Sequence, residues 1–152
     1  MVSRVILIDT GPLSLLTHPN PSSEALECSE WMEACVRQGV TFVLPEIADY
    51  ELRRELLRAN KAAGLRKLNA LGVEMRYLPL TTAAMRQAAA FWAEARNARR
   101  QTADDKALDG DVILAAQAVT LPVPGAVIAT TNVGHLGRYA PAEVWRNIQV
   151  GE

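Results

Sequence analysis

The chain is short of the residues that soft-metal and redox sites need. It has only two histidines, His18 and His135, and two cysteines, Cys28 and Cys35, and no four-ligand cysteine/histidine zinc pattern is present. If residues 24–38 form a helix, the two thiols lie roughly 10 Å apart along its axis, too far to bridge. They read as small core hydrophobes. Aromatic residues make up only 5% of the chain, and Trp31 and Trp92 fall on apolar helical faces, suited to core or dimer contacts rather than base stacking. No sign of charge dominates: the formal net charge is −1, so a global basic field for gripping nucleic acid is absent and any such grip must be local. Long apolar runs are missing too. Val5-Ile6-Leu7-Ile8 ends at Asp9, too short for a signal peptide or a membrane span, and the expected location is the cytoplasm.

What remains is an ordinary globular composition. The 152 residues are 49% hydrophobic and 22% charged, the size and balance of one domain spanning 1–152. Val5–Ile8 reads as a strand buried on both faces. A short helix is expected over Leu13–Leu16, and another from Glu24 to Gln38 capped by Ser22 or Ser23. Thr41–Leu44 is a second strand. Pro45 opens a helix to about Ala63, broken at Gly64, and a further helical face ends before Gly72. Val73–Leu78 is a third strand. Thr81 or Thr82 caps a long helix through Arg100, and 101–109 is a polar loop. Val112–Val119 is helical, Ala126–Thr130 a fourth strand and Val144–Ile148 a fifth. Alternating strands and helices predict a mostly parallel sheet of four or five strands, covered on both faces. In such sheets ligands gather beyond the carboxyl ends of the strands.

Carboxylates recur at that edge. Asp9 ends the first strand, where it either points into the crevice or caps the helix that follows. Glu51 lies early in the helix after Pro45, and taken alone it reads as a solvated surface residue. Asp109 and Asp111 flank Gly110 before an apolar helix, which either could cap. Like charges brought together repel and raise one another's pKa, so a fold tolerates the cluster when a divalent cation sits in it. Oxygen ligands point to Mg²⁺ or Mn²⁺, whose usual work when held by carboxylates is phosphoryl chemistry.

The segments VILIDTGPL at 5–13, PEIADYELRREL at 45–56, DGDVILAAQA at 109–118 and ATTNVGHL at 129–136 resemble the successive motifs of a PIN domain. No motif is specific alone, but the four follow in order over almost the whole chain. The resemblance implies a three-layer α/β/α nuclease, resembling toxin subunits of the VapBC type. It implies Asp9, Glu51 and Asp111 as the metal-binding and catalytic acids, with Asp109 as an additional ligand. The fourth motif departs: Asn132 fits, but His135 stands where a further acid is common, which bears on a second metal position more than on the first. Thr130, Thr131 and Asn132 are candidates to orient water or contact phosphate.

Basic residues cluster beside the acids. Arg53, Arg54, Arg58, Lys61, Arg66 and Lys67 form one group, and Arg96, Arg99, Arg100 and Lys106 a second. Most read as solvated helix faces. Arg53 and Arg54, nearest Glu51, are the best candidates for substrate phosphates. The resemblance adds RNA as substrate, an antitoxin protein as partner and a homodimer, with the Ala-rich helix 82–95 as a packing face. The leading expectation is a metal-dependent endoribonuclease. A non-cutting PIN-like RNA- or protein-binding module is the alternative. A phosphatase or receiver-type domain ranks third, because Gly11 replaces the second acid of the phosphatase pattern and no acceptor Asp follows the third strand.

Overall fold

The computed structural model describes residues 4–98 and 105–149. Its core is a five-stranded parallel sheet in the order β3-β2-β1-β4-β5, built from β1 (Val5–Ile8), β2 (Thr41–Pro45), β3 (Arg76–Leu78), β4 (Val127–Thr130) and β5 (Ala142–Val144). The central strand is fully apolar and fully buried, as a strand covered on both faces must be. Its side chains alternate. Ile6 and Ile8 join Phe42, Leu44 and Ala129 on one face, whereas Val5 and Leu7 join Val43 and Ile128 on the other.

Helices α1 (Thr10–Thr17), α2 (Ser23–Arg37) and α4 (Ala62–Glu74) supply Leu13, Cys28, Cys35 and Leu68 to the first face. Helix α6 (Asp105–Thr120) lays Leu114, Ala115 and Ala118 on the second, and α5 (Thr82–Asn97) packs outside it through Ala84, Ala88 and Ala95. Helix α3 (Glu46–Arg58) serves both, with Ile47 on the α6 side and Leu52 and Leu56 on the other. The expected α/β/α layering therefore holds, and the sheet is parallel throughout.

Helix α1 starts at Thr10, ahead of the expected Leu13, because Asp9 caps it and proline suits a first turn, and four further boundaries differ from the sequence reading. Helix α3 stops at Arg58, not at Gly64. Asn60 takes a left-handed backbone (φ 54°), and the N–H groups of Asn60 and Lys61 donate back to the carbonyls of Leu57 and Leu56. This is the hydrogen-bond pattern of a Schellman end, with asparagine where glycine is usual. Gly64 instead lies inside α4, where a β-carbon would stand 2.8 Å from Leu56 Cδ2, so it permits the close approach of α3 and α4. Second, α4 runs through Gly72 to Glu74 and leaves β3 only three residues. A glycine inside a packed helix costs about 1 kcal/mol, which burial of Leu68 outweighs. Third, α6 begins at Asp105, well before the expected Val112, because acidic residues suit a helix's first turns. Fourth, β5 ends at Val144, where the fifth strand was expected to begin. The residues that follow, Trp145–Asn147, form a 3-10 turn that buries Trp145 against Trp31.

Candidate active site

Strand order reverses at β1, so a crevice opens beyond its carboxyl end beside β4. Asp9 is the first residue past β1. Its backbone N–H donates to the Ala129 carbonyl of β4 at 3.0 Å, and its Oδ1 accepts the Thr10 N–H at 2.7 Å, capping α1. Oδ2 accepts the Thr130 hydroxyl at 2.7 Å. The cap and crevice readings are thus compatible, since one carboxylate does both. Burial raises the Asp9 pKa, and the bonds from Thr130 and Thr10 oppose that rise.

Glu51 reaches the same crevice from α3. Its Oε1 accepts the Thr10 hydroxyl at 2.8 Å. Its other oxygen lies against Gly110 of α6, so closely that a β-carbon there would collide with it. Asp111 follows at the next position of α6. Burial, then the charge of Asp9, then that of Glu51, push its carboxyl up to about 6. Side chains from β1's end, α3 and α6, far apart in sequence, therefore share one electrostatic environment. Asp109, by contrast, is exposed and lines a separate apolar groove with Met85, Trp92 and Val112.

Among the described residues, no three acidic, histidine or cysteine side chains already close on one point as a bound ion would require. The donor set nevertheless fits a hard cation. Asp9, Glu51 and Asp111 offer only oxygen, and the repulsion that Asp9 and Glu51 exert on Asp111 is what a divalent charge would relieve.

The remaining sequence candidates separate. Thr130 is 1% exposed, so it is no free contact for phosphate; its one hydroxyl proton serves the short bond to Asp9. Thr131 packs against the α1 start at Gly11, and Asn132 is exposed, with its N–H donated to Thr130 Oγ1. Arg53 points away from Glu51. It makes a bidentate pair with the buried Asp49, which also accepts the Tyr77 hydroxyl. Arg54 is exposed and lies over the Tyr50 ring, 5.1 Å from its centroid, one helical turn from Glu51. In the second basic group, Arg96 stacks on Trp92, whereas Arg99, Arg100 and the Lys106 side chain lie outside the described residues. Trp31 packs edge-on to Phe42 in the core, as expected. Two contributors escaped the sequence reading. Thr10 follows an aspartate as any helix-starting residue might, and Gly110 shows its worth only through the carboxylate beside it.

Solved structures share this architecture. A chain of VapBC2 from Rickettsia felis, in a complex bound to a DNA fragment from their promoter, superposes with a TM-score of 0.69 at 14% identity, over 93% of this chain and 98% of that one. The fold is that of a VapC-like PIN domain. VapBC-1 from nontypeable Haemophilus influenzae gives a TM-score of 0.68 at 18% identity, covering 94% of this chain and 99% of that one. FitAcB from Neisseria gonorrhoeae gives 0.63 at 20% identity, with 94% and 99% covered. No family model matches the sequence, and no curated protein matches it. With identities this low, the likeness is one of fold. No described helix is long and apolar enough to cross a membrane.

Proposed function

We propose that the chain is a Mg²⁺- or Mn²⁺-dependent endoribonuclease and the toxin of a toxin–antitoxin pair. The observation that carries this reading is the gathering of Asp9, Glu51 and Asp111 in one crevice, where burial first and then the charges of Asp9 and Glu51 push the Asp111 carboxyl up to about 6. Asp9 and Asp111 are the cation's ligands, and Glu51 is a third ligand or the base for the attacking water. When bound, the cation supplies charge neutralisation at the scissile phosphate and an acidified water. Thr130 and Thr10 hold Asp9 and Glu51 in single orientations through one hydroxyl bond each. Arg54, exposed beside Glu51, is the group best placed to take an RNA phosphate, whereas Arg53 is occupied by Asp49.

An antitoxin partner is inferred from the VapBC complexes that share the fold. A homodimer, RNA as substrate and a cytoplasmic setting belong to the same reading. Asp9→Asn tests it. The variant should fold like the wild type and lose more than about a hundredfold in metal-dependent cleavage of a mixed RNA pool. Cleavage at the wild-type rate would remove Asp9 from the mechanism. The alternative, a non-cutting PIN-like module, draws support from acids that do not yet close on one point. Titration calorimetry with Mn²⁺ separates the two, since a chain that takes up no cation is not the proposed nuclease.

A further inference from the structure

Helix α3 has to carry Glu51 to a point beside α6, yet its start has no cap of its own. The residue at the cap position is Pro45, which offers no side-chain oxygen to the helix's unpaired N–H groups. The missing acceptor comes from α6. Gln117 Oε1 accepts the Ile47 N–H at 3.2 Å across 70 residues of sequence, and Gln117 Nε2 donates to the Leu78 carbonyl at the end of β3 at 3.0 Å. The side chain is 2% exposed. Its orientation is dictated by its partners, because a flipped amide would face N–H with N–H and carbonyl with carbonyl. A second tie holds the same helix start, from the Leu80 N–H to Glu46 Oε1 at 2.6 Å. Glu51 lies one turn along α3 from Ile47. Asp111 lies six residues back along α6 from Gln117, roughly 9 Å.

We infer that Gln117 is a positioning residue: through the Ile47 N–H it sets α3 against α6, and so sets how far Glu51 stands from Asp111. The role of that separation in catalysis rests on the nuclease reading above; the latch itself does not. A buried amide is expensive unless both ends are paired, so loss of either partner disturbs the junction rather than leaving it slack. Apolar packing alone does not fix this geometry. Among the described residues, Ile47 is the one apolar side chain of α3 in the cluster on the α6 side, and apolar contacts tolerate sliding that a hydrogen-bonded amide does not.

The test uses spin labels and Mn²⁺ on the full chain. Nitroxides on Leu57→Cys and Val119→Cys, both at exposed positions, report the spacing of α3 and α6. Gln117→Met keeps the volume and removes both bonds. It should broaden and shift the label distance and weaken Mn²⁺ binding about tenfold. Gln117→Glu, protonated by its burial, again presents an acceptor and a donor and should recover most of both. If the methionine variant does not fold, Gln117→Asn, too short to reach both partners, carries the comparison. Cys35→Ala, a destabilising change in α2, away from the α3–α6 junction, should leave distance and affinity as they are. An unchanged label distance in the variants lacking the bonds overturns the inference, as does an equal affinity loss in Cys35→Ala. Should the wild-type chain take up no Mn²⁺, the nuclease reading falls and the label distance alone decides the latch.

Discussion

At the residue scale the site is a store of unfavourable charge. Asp111 holds its proton up to about pH 6, against an ordinary value of 3.8. Between those values the native state carries more proton on this carboxyl than the unfolded chain does. Stability contributed by the protonated group is therefore lost as pH rises across that window and stays lost above it. Asp111→Asn removes the penalty. Thermal unfolding in a chelator should show the variant more stable than wild type at pH 8, with the gap closing as pH falls below about 4. A variant less stable at pH 8 would mean that Asp111 is not repelled. The acids themselves could be read from their positions after a strand, after Pro45 and before an apolar helix. Their hydroxyl partners could not. Nothing in the sequence joins Thr130 to Asp9 or Thr10 to Glu51, because each bond spans a β1–β4 or an α1–α3 junction.

At the element scale, glycine was the misleading signal. In the sequence Gly64 and Gly72 read as helix ends, yet both lie inside α4. Local propensity makes glycine a weak breaker, and tertiary contact decides. At Gly64 the contact is Leu56, which leaves no room for a β-carbon. Gly64→Ala gains up to about 1 kcal/mol of helix propensity but forces a clash that costs about 1–3 kcal/mol. The net result should be a lower midpoint in urea. In a Leu56→Ala background the same substitution should become neutral or stabilising, and additive losses would show that the two side chains do not meet. The true break at Asn60 relies on a residue type that tolerates the left-handed region, a signal legible in retrospect but shared by many asparagines that sit elsewhere.

At the scale of the whole molecule, the three layers bring the carboxyl ends of β1 and β4 together with α3 and α6, and the charge gathered there links stability to cation and pH. A ligand that binds only the folded state at a hundred times its dissociation constant stabilises by about 2.7 kcal/mol. Mn²⁺ should therefore raise the unfolding temperature of the wild type at pH 8, do so far less at pH 5 where Asp111 is protonated, and do nothing for Asp9→Asn. An equal rise in all three would place the ion elsewhere. Much of this was legible in the chain. The apolar run Val5–Ile8, the helical spacing of leucines and alanines and the serine and threonine caps at 22 and 81 are local, because hydrophobic period and capping act within a few residues. The acid at each element's end is local for the same reason. The partner of each acid, the pairing of Arg53 with Asp49 instead of a phosphate, the removal of Asp109 to another groove and the reach of Gln117 from α6 to α3 were decided by tertiary structure alone. Each depends on which faces two distant elements turn to one another, and that is settled only when both bury their apolar sides against the same sheet.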